Sequence, residues 1–221
     1  MTPAHPPCRK ASRIRAANRF PARIASGGRR AVLACAAGLL ALVGQAAWGA
    51  DYLALSFGAY RSSPVLLTHF SVEAPLAPTP ELVVSGAAEA EMPRTAGSSA
   101  VGLPRDAGRD GRWTVAAQWI ELQTSRAYRA ELTVPVSALT EVYGAYELNV
   151  IFGPNGLMIL GSDRVGNSKA DRVDLVAGCG DRAPRSDRDW GRETARFPEV
   201  AQLHRSMAPV PARTVCPATG G

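Results

Sequence analysis

The chain has 221 residues and a formal net charge of +6, from 25 Lys and Arg against 19 Asp and Glu. Eight of the basic residues and none of the acidic ones precede Asp51, so the remainder holds 17 basic and 19 acidic residues, a net of −2. Nucleic-acid binding draws on a basic stripe. None remains after Asp51, and no nucleic-acid partner is expected.

The first element is a leader. Arg9, Lys10, Arg13, Arg15, Arg19, Arg23, Arg29 and Arg30 precede an apolar run from Ala31 to Val43, and small residues lead on to Asp51. A positive n-region, a short apolar h-region and a small-residue exit are the pattern of a cleavable secretory signal. The run is short for a membrane span, which needs roughly 20 apolar residues. Residues 1–49 are therefore expected to be a signal peptide. Ala47-Trp48-Gly49 favours cleavage between Gly49 and Ala50, with cleavage after Ala46 second. A retained N-terminal anchor is the alternative.

Val32-Leu33-Ala34-Cys35 has the form of a lipobox, which would acylate Cys35. Most of the apolar run follows that cysteine, whereas a lipoprotein signal carries its apolar region before it. The expected location is the periplasm. Membrane attachment is expected only if Cys35 is lipidated.

About 171 residues remain after such a leader, enough for one core and short for two. A β-rich domain is expected over residues 50–178. Tyr52–Phe57 alternates and predicts a first strand. Pro64–Val72 predicts a second, rich in β-branched and aromatic residues. Glu81–Ser85 predicts a short third. Ala87–Gly111, rich in Ala, Gly, Ser and Pro, reads as a long mobile loop. Trp113, Val115, Ala117 and Trp119 share one strand face. Tyr128, Ala130, Leu132 and Val134 share a face of the next strand. The short link between the two predicts antiparallel pairing.

Pro135–Tyr143 predicts one or two helical turns, closed by Gly144. Tyr146–Phe152 and Leu157–Leu160 flank Gly153-Pro154-Asn155-Gly156, whose residues suit a tight turn. Asp171–Ala177 predicts a further strand. Residues 179–221 form a C-terminal helix and tail. Phe197, Val200, Leu203 and Met207 recur at helical spacing there, and Pro209 and Pro211 end the helix. The fold class expected is mainly β, an antiparallel two-sheet sandwich-like domain with a short C-terminal helix.

Chemistry-bearing patterns are sparse. Cys179 and Cys216 outlast the leader, and two cysteines in an oxidising compartment are expected to pair. Two free buried thiols are the alternative. His69 and His204 lack neighbouring ligands at metal spacing, and a site built from both with the two cysteines has no supporting motif. No Gly-x-Ser-x-Gly elbow is present. Gly153–Gly156 lacks the spacing of a phosphate loop. The carboxylates Glu81, Glu89, Glu91, Glu121, Glu131, Glu141 and Glu147 are scattered, so none is selected as one of a glycosidase pair. No catalytic residue, cofactor or metal is therefore expected.

Most clearly over Trp113–Gly161, the chain resembles a family of uncharacterised exported proteins and lipoproteins of Gram-negative bacteria, the domain-of-unknown-function family twenty-nine thirty-one. The resemblance rests on Pro64-Val65-Leu66-Leu67-Thr68-His69, on Gln118-Trp119-Ile120-Glu121-Leu122 leading to Ala127-Tyr128-Arg129, on Pro135-Val136-Ser137-Ala138-Leu139, and on Gly153-Pro154-Asn155-Gly156. It covers roughly Tyr52 to Ala177. Members lie near genes for type VI secretion effectors, which implies an immunity or accessory role with a secreted effector as partner.

The expected function is the first of the following, and the other two are its alternatives. A non-enzymatic binding protein would present Ala87–Gly111 or the charged segment Arg182–Arg196. An envelope hydrolase would need a carboxylate beside His69. A carbohydrate or peptidoglycan-binding module would need Trp113 or Trp119 exposed as a platform.

Overall fold

The computed structural model describes residues 52–86, 88, 99–103, 107–163, 172–189 and 196–218. Cys35, Gly49 and Ala50 lie outside the described residues. The strands in chain order are β1 (Tyr52–Ala59), β2 (Val65–Val72), β3 (Pro78–Val84), β4 (Ser99–Gly102), β5 (Arg112–Glu121) and β6 (Ala127–Pro135). They continue with β7 (Thr140–Val142), β8 (Ala145–Gly153), β9 (Leu157–Asp163), β10 (Arg172–Cys179) and β11 (Asp181–Arg182). Among the described residues one α-helix, α1 (Pro198–Ser206), follows.

The strands form two sheets. One has the order β10-β9-β8-β1-β4, with β7 alongside β8; the other has the order β11-β6-β5-β2-β3. The fold is mainly β, as the alternation implies. It departs from pure antiparallel pairing at one place. β1 runs parallel to β8, from Tyr52 opposite Ala145 to Ala59 opposite Phe152.

Period-two alternation sends one set of side chains from each sheet into the gap between them. Leu53, Leu55 and Ala59 of β1 and Leu148, Val150 and Phe152 of β8 meet Trp113, Val115, Ala117 and Trp119 of β5. Tyr128 and Val134 of β6 join them. Trp119 stacks on Tyr128 with ring centroids 6.2 Å apart and packs on Phe152 at 4.9 Å. A side chain of this size contributes about 1.5–3 kcal/mol on full burial, so this layer carries the sandwich.

Both outer faces are also partly covered. Val200, Phe197 and Leu203 of the α1 segment pack on Leu66, Ile120, Leu122 and Ala127 of the five-stranded sheet. Pro198 opens α1, Glu199 lies in its first turn and His204 and Arg205 in its last. That order of charge suits the helix dipole. Cys216 packs with Ile151, Leu157 and Ile159 on the far face of the six-stranded sheet.

Three expectations change. The segment 87–111 is not all loop, because Ser99–Gly102 pairs with Tyr52–Leu55 as β4. Pro135–Tyr143 holds a single 3-10 turn, Val136–Ala138, and then β7. Thr140–Val142 is drawn into extended form by pairing with Ala145–Glu147. The charged Asp181–Arg182 extends as β11 against Tyr128 and Arg129.

The sandwich is closed on one side by the chain itself. Cys179 ends β10 in one sheet, Gly180 crosses, and Asp181 begins β11 in the other. Gly180 is required by close approach: an added Cβ would lie 2.9 Å from the Arg129 carbonyl oxygen and 3.0 Å from the Trp119 ring. Cys179 and Cys216 form the expected disulfide, with their Cα atoms 5.6 Å apart. On the opposite side, β3 and β4 are the terminal strands of their sheets.

Two tests follow. The bridge spans a sequence separation of 37, and the chain-entropy relation assigns about 4 kcal/mol to such a loop. Cys216→Ser is expected to lower unfolding free energy by about 2–4 kcal/mol in urea titrations, and reductant to lower the wild type equally. The second concerns the turn between β7 and β8, where Tyr143 and Gly144 both have positive φ, 52° and 77°. That conformation favours Asn-Gly, and Tyr143 is fully exposed. Tyr143→Asn is expected to raise stability by up to about 1 kcal/mol, seen as a higher urea midpoint with unchanged slope.

Candidate functional site

The open side of the sandwich holds a cavity of about 380 Å³. Its walls come from β1, β2, β3 and β4, with Leu103 just after β4. Register explains the lining. Leu53 and Leu55 face the gap, and their partners Val101 and Ser99 on β4 share that face. Leu67 of β2 is opposite Leu82 of β3 in the other sheet. Phe57 and Phe70 meet edge to face across the gap at 5.0 Å.

No titratable side chain lines the cavity among the described residues. The polar wall residues are Ser71, Thr79 and Ser99. Ser71 is buried, and its hydroxyl has no hydrogen-bond partner among the described residues. The rim is apolar too, since Leu82 is 45% and Val101 40% exposed. A site of this size and lining takes apolar matter by exclusion from water, with few polar anchors.

The residues singled out from the sequence lie elsewhere. Trp113 and Trp119 are buried in the core, with indole N–H groups that find no partner. They offer no platform for a sugar. His69 sits at a bulge in β2, where the register shifts between Leu67 and His69 against both neighbouring strands. Its Nδ1 lies 3.0 Å from Thr68 Oγ1 and 3.4 Å from Gln118 Nε2, and Gln118 donates to Ser186 Oγ at 3.2 Å. Among the described residues no carboxylate is hydrogen-bonded to it; its partners are Thr68 and Gln118. His204 is exposed near the end of α1. Among the described residues no group of three or more His, Cys, Asp or Glu side chains could hold a metal ion.

The charged C-terminal segment is tied to its own sheet. Arg182 grips Asp187 with two hydrogen bonds of 2.9 and 2.8 Å, and Asp187 accepts one from the Ala127 N–H at 2.7 Å. Hydrogen bonding to Arg182 holds the Asp187 carboxyl below the ordinary carboxylate range. Arg188 and Arg196 both reach Glu81, at 2.7 and 3.0 Å. These ion pairs tie Arg182, Asp187, Arg188 and Arg196 to the five-stranded sheet.

Two polar arrangements escape the sequence pattern. Ser56 donates to Asn149 Oδ1, and Asn149 Nδ2 donates to Asp163 Oδ1 at 3.1 Å. This chain crosses β1, β8 and β9, with the neutral Asn149 amide standing between the Ser56 hydroxyl and the Asp163 carboxylate. The other is Glu121, which is 2% exposed. It accepts hydrogen bonds from the Gly156 N–H at 2.8 Å and the Thr124 hydroxyl at 2.9 Å. It thereby ties the turn of one sheet to the end of a strand in the other. Burial raises its pKa above the ordinary carboxylate value, against the pull of those hydrogen bonds.

Comparison of the chain with models of known protein families, with curated proteins and with solved structures finds no match.

The shift at Glu121 gives a pH test. A carboxyl whose pKa is raised by folding favours the fold while it is protonated. That contribution is lost as pH rises from the ordinary carboxylate value through the raised one. Glu121→Gln keeps the size and a Gly156 acceptor and removes the charge. The stability difference, variant minus wild type, is expected to grow as pH rises from about 4 to about 8. Urea unfolding at several pH values checks it, and a flat difference would show that Glu121 does not titrate across this range.

Proposed function

We propose that this chain is an exported, non-enzymatic binding domain that takes its ligand between β3 and β4, on the open side of the sandwich. The cavity carries this reading. It is an apolar opening of about 380 Å³, its rim is apolar, and no titratable side chain lines it among the described residues. Catalysis by general acids, bases or nucleophiles calls for such groups in the pocket. Binding by burial does not.

Export is supported by the leader pattern and by the disulfide, which suits an oxidising compartment. No helix among the described residues is long and apolar enough to cross a membrane. The family resemblance adds an immunity or accessory role, with a secreted effector as partner. In that setting β4, which lies within the segment 87–111 expected to bind, forms one lip of the site.

Expression in a Gram-negative host, followed by fractionation and intact-mass measurement, tests export. The expected product is periplasmic, begins near Ala47–Asp51 and is lighter by two hydrogens before reduction. An acylated Cys35 would make it a membrane-attached lipoprotein instead, and a cytoplasmic chain with its leader intact would end the proposal. Binding is tested with 1-anilinonaphthalene-8-sulfonate. The oxidised wild type is expected to enhance its fluorescence, and the double variant Leu82→Lys, Val101→Lys to lose most of that enhancement. Both positions are partly exposed, so the variant should fold, which its circular dichroism would confirm.

A further inference from the structure

We infer that the cleft takes a linear, uncharged aliphatic chain of roughly ten to twelve carbons, laid along the strands with its polar end at the rim. This rests on the reading that the cleft is a binding site, and it names the class of ligand.

Length comes from the strands. Leu53, Leu55 and Phe57 line the cleft along β1, and Leu67, Phe70 and Val72 line it along β2. From residue 53 to residue 57 is four steps of about 3.3 Å, so the wall is about 13 Å long, near the length of an extended ten-carbon chain. Volume agrees. At about 30 Å³ for a water-sized group, a cavity of about 380 Å³ holds about a dozen methylenes.

Charge is excluded by the same wall. A carboxylate or ammonium placed among these side chains would meet no counter-charge from the described residues, and burying an unpaired ion is strongly unfavourable. An ionised head group must therefore stay outside. The wall residues offer few polar groups, Ser71, Thr79 and Ser99, and Ser71 sits between Phe70 and Val72 on β2, so its side chain is on the opposite face from theirs. Such a lining suits an alkyl chain better than a sugar or a peptide.

A polypeptide strand would be the rival occupant, added to an open edge with its side chains in the cleft. The edges disfavour it. β3 carries Pro78 and Pro80, which have no N–H to donate. β4 is four residues long and ends on Gly102.

The test uses the oxidised, leader-free chain and the neutral probe N-phenyl-1-naphthylamine. Bound probe is displaced with 1-alkanols from hexanol to hexadecanol, with pyrene as a flat ring system, and with a seven-residue alternating apolar peptide. Alkanol affinity is expected to rise about fourfold per methylene and to level off near ten to twelve carbons. Val101→Trp, which narrows the rim, is expected to move that break to shorter chains. Displacement by pyrene but no dependence on alkanol length would overturn the chain assignment and leave the site standing. Displacement mainly by the peptide would overturn it in favour of strand addition. Probe that fails to bind, or that binds the Leu82→Lys, Val101→Lys variant equally well, would remove both the assignment and the binding reading beneath it.

Discussion

The turn Gly153-Pro154-Asn155-Gly156 is the point to which the two sheets and the C-terminal tail are all fastened. It belongs to the hairpin of β8 and β9, yet the Gly156 N–H is satisfied by Glu121 at the end of β5 in the other sheet. The Gly156 carbonyl accepts from Gly180, where the chain crosses between sheets. Asn155 donates to Thr214 and to the Cys216 carbonyl, and Cys216 is bonded to Cys179. The turn leaves no choice of residue at its last position. Gly156 has φ of 80°, and an added Cβ would sit 2.4 Å from the Tyr128 ring. A positive φ and a steric collision oppose a side chain independently.

Closure at that corner shapes the opposite one. Sheets of unequal pairing must end somewhere, and an unpaired edge is a liability unless it is short, charged, covered or carries proline. Here β10 and β11 are joined by the chain and locked by the disulfide. Among the described residues β3 and β4 are the terminal strands on the other side, one carrying prolines and the other short. These devices protect the edges from other strands, but they do not bring the edges together. The gap between them is the cleft. The same constraint that stiffens the domain on one side leaves room on the other.

The strongly alternating segments were legible because their own pattern defines them. Trp113–Trp119 and Tyr128–Val134 show which face is buried before any partner is known. Phe197, Val200 and Leu203 likewise show the buried face of α1. β4, β7 and β11 carry no such pattern. Ser99–Gly102 is small and nearly featureless, and it is extended because β1, far upstream in the chain, offers it an edge, from Tyr52 opposite Gly102 to Leu55 opposite Ser99. Thr140–Val142 is long enough for a helical turn and is held extended by β8. The parallel pairing of β1 with β8 also joins segments far apart in the chain, which no local pattern encodes. The site was hidden for a related reason. Leu53, Leu55, Leu67 and Leu82 read as core residues, and core residues are what they resemble in composition and alternation. Only the placement of two sheet edges separates a filled core from a cleft. The aromatic and histidine residues that drew notice in the sequence did so by chemical type, and packing uses them otherwise.

An apolar gap of this kind is itself an energetic statement. At about 24 cal/mol per Å³, a closed and dry void of 380 Å³ would cost on the order of 9 kcal/mol. That is comparable with the whole stability of a typical domain, about 5–15 kcal/mol. The domain avoids the full cost because the gap opens at Leu82 and Val101, so water can wet its mouth. Wetting leaves apolar surface hydrated, which is the condition that burial relieves. Larger side chains at Ser99 or Val101 would fill the space from within. Their absence leaves a surface that a ligand of matching shape would cover, and such a ligand would stabilise the folded state by mass action. The disulfide and the Glu121 anchor make that arrangement tenable. They hold the closed corner by bonds that do not depend on whether the open corner is filled.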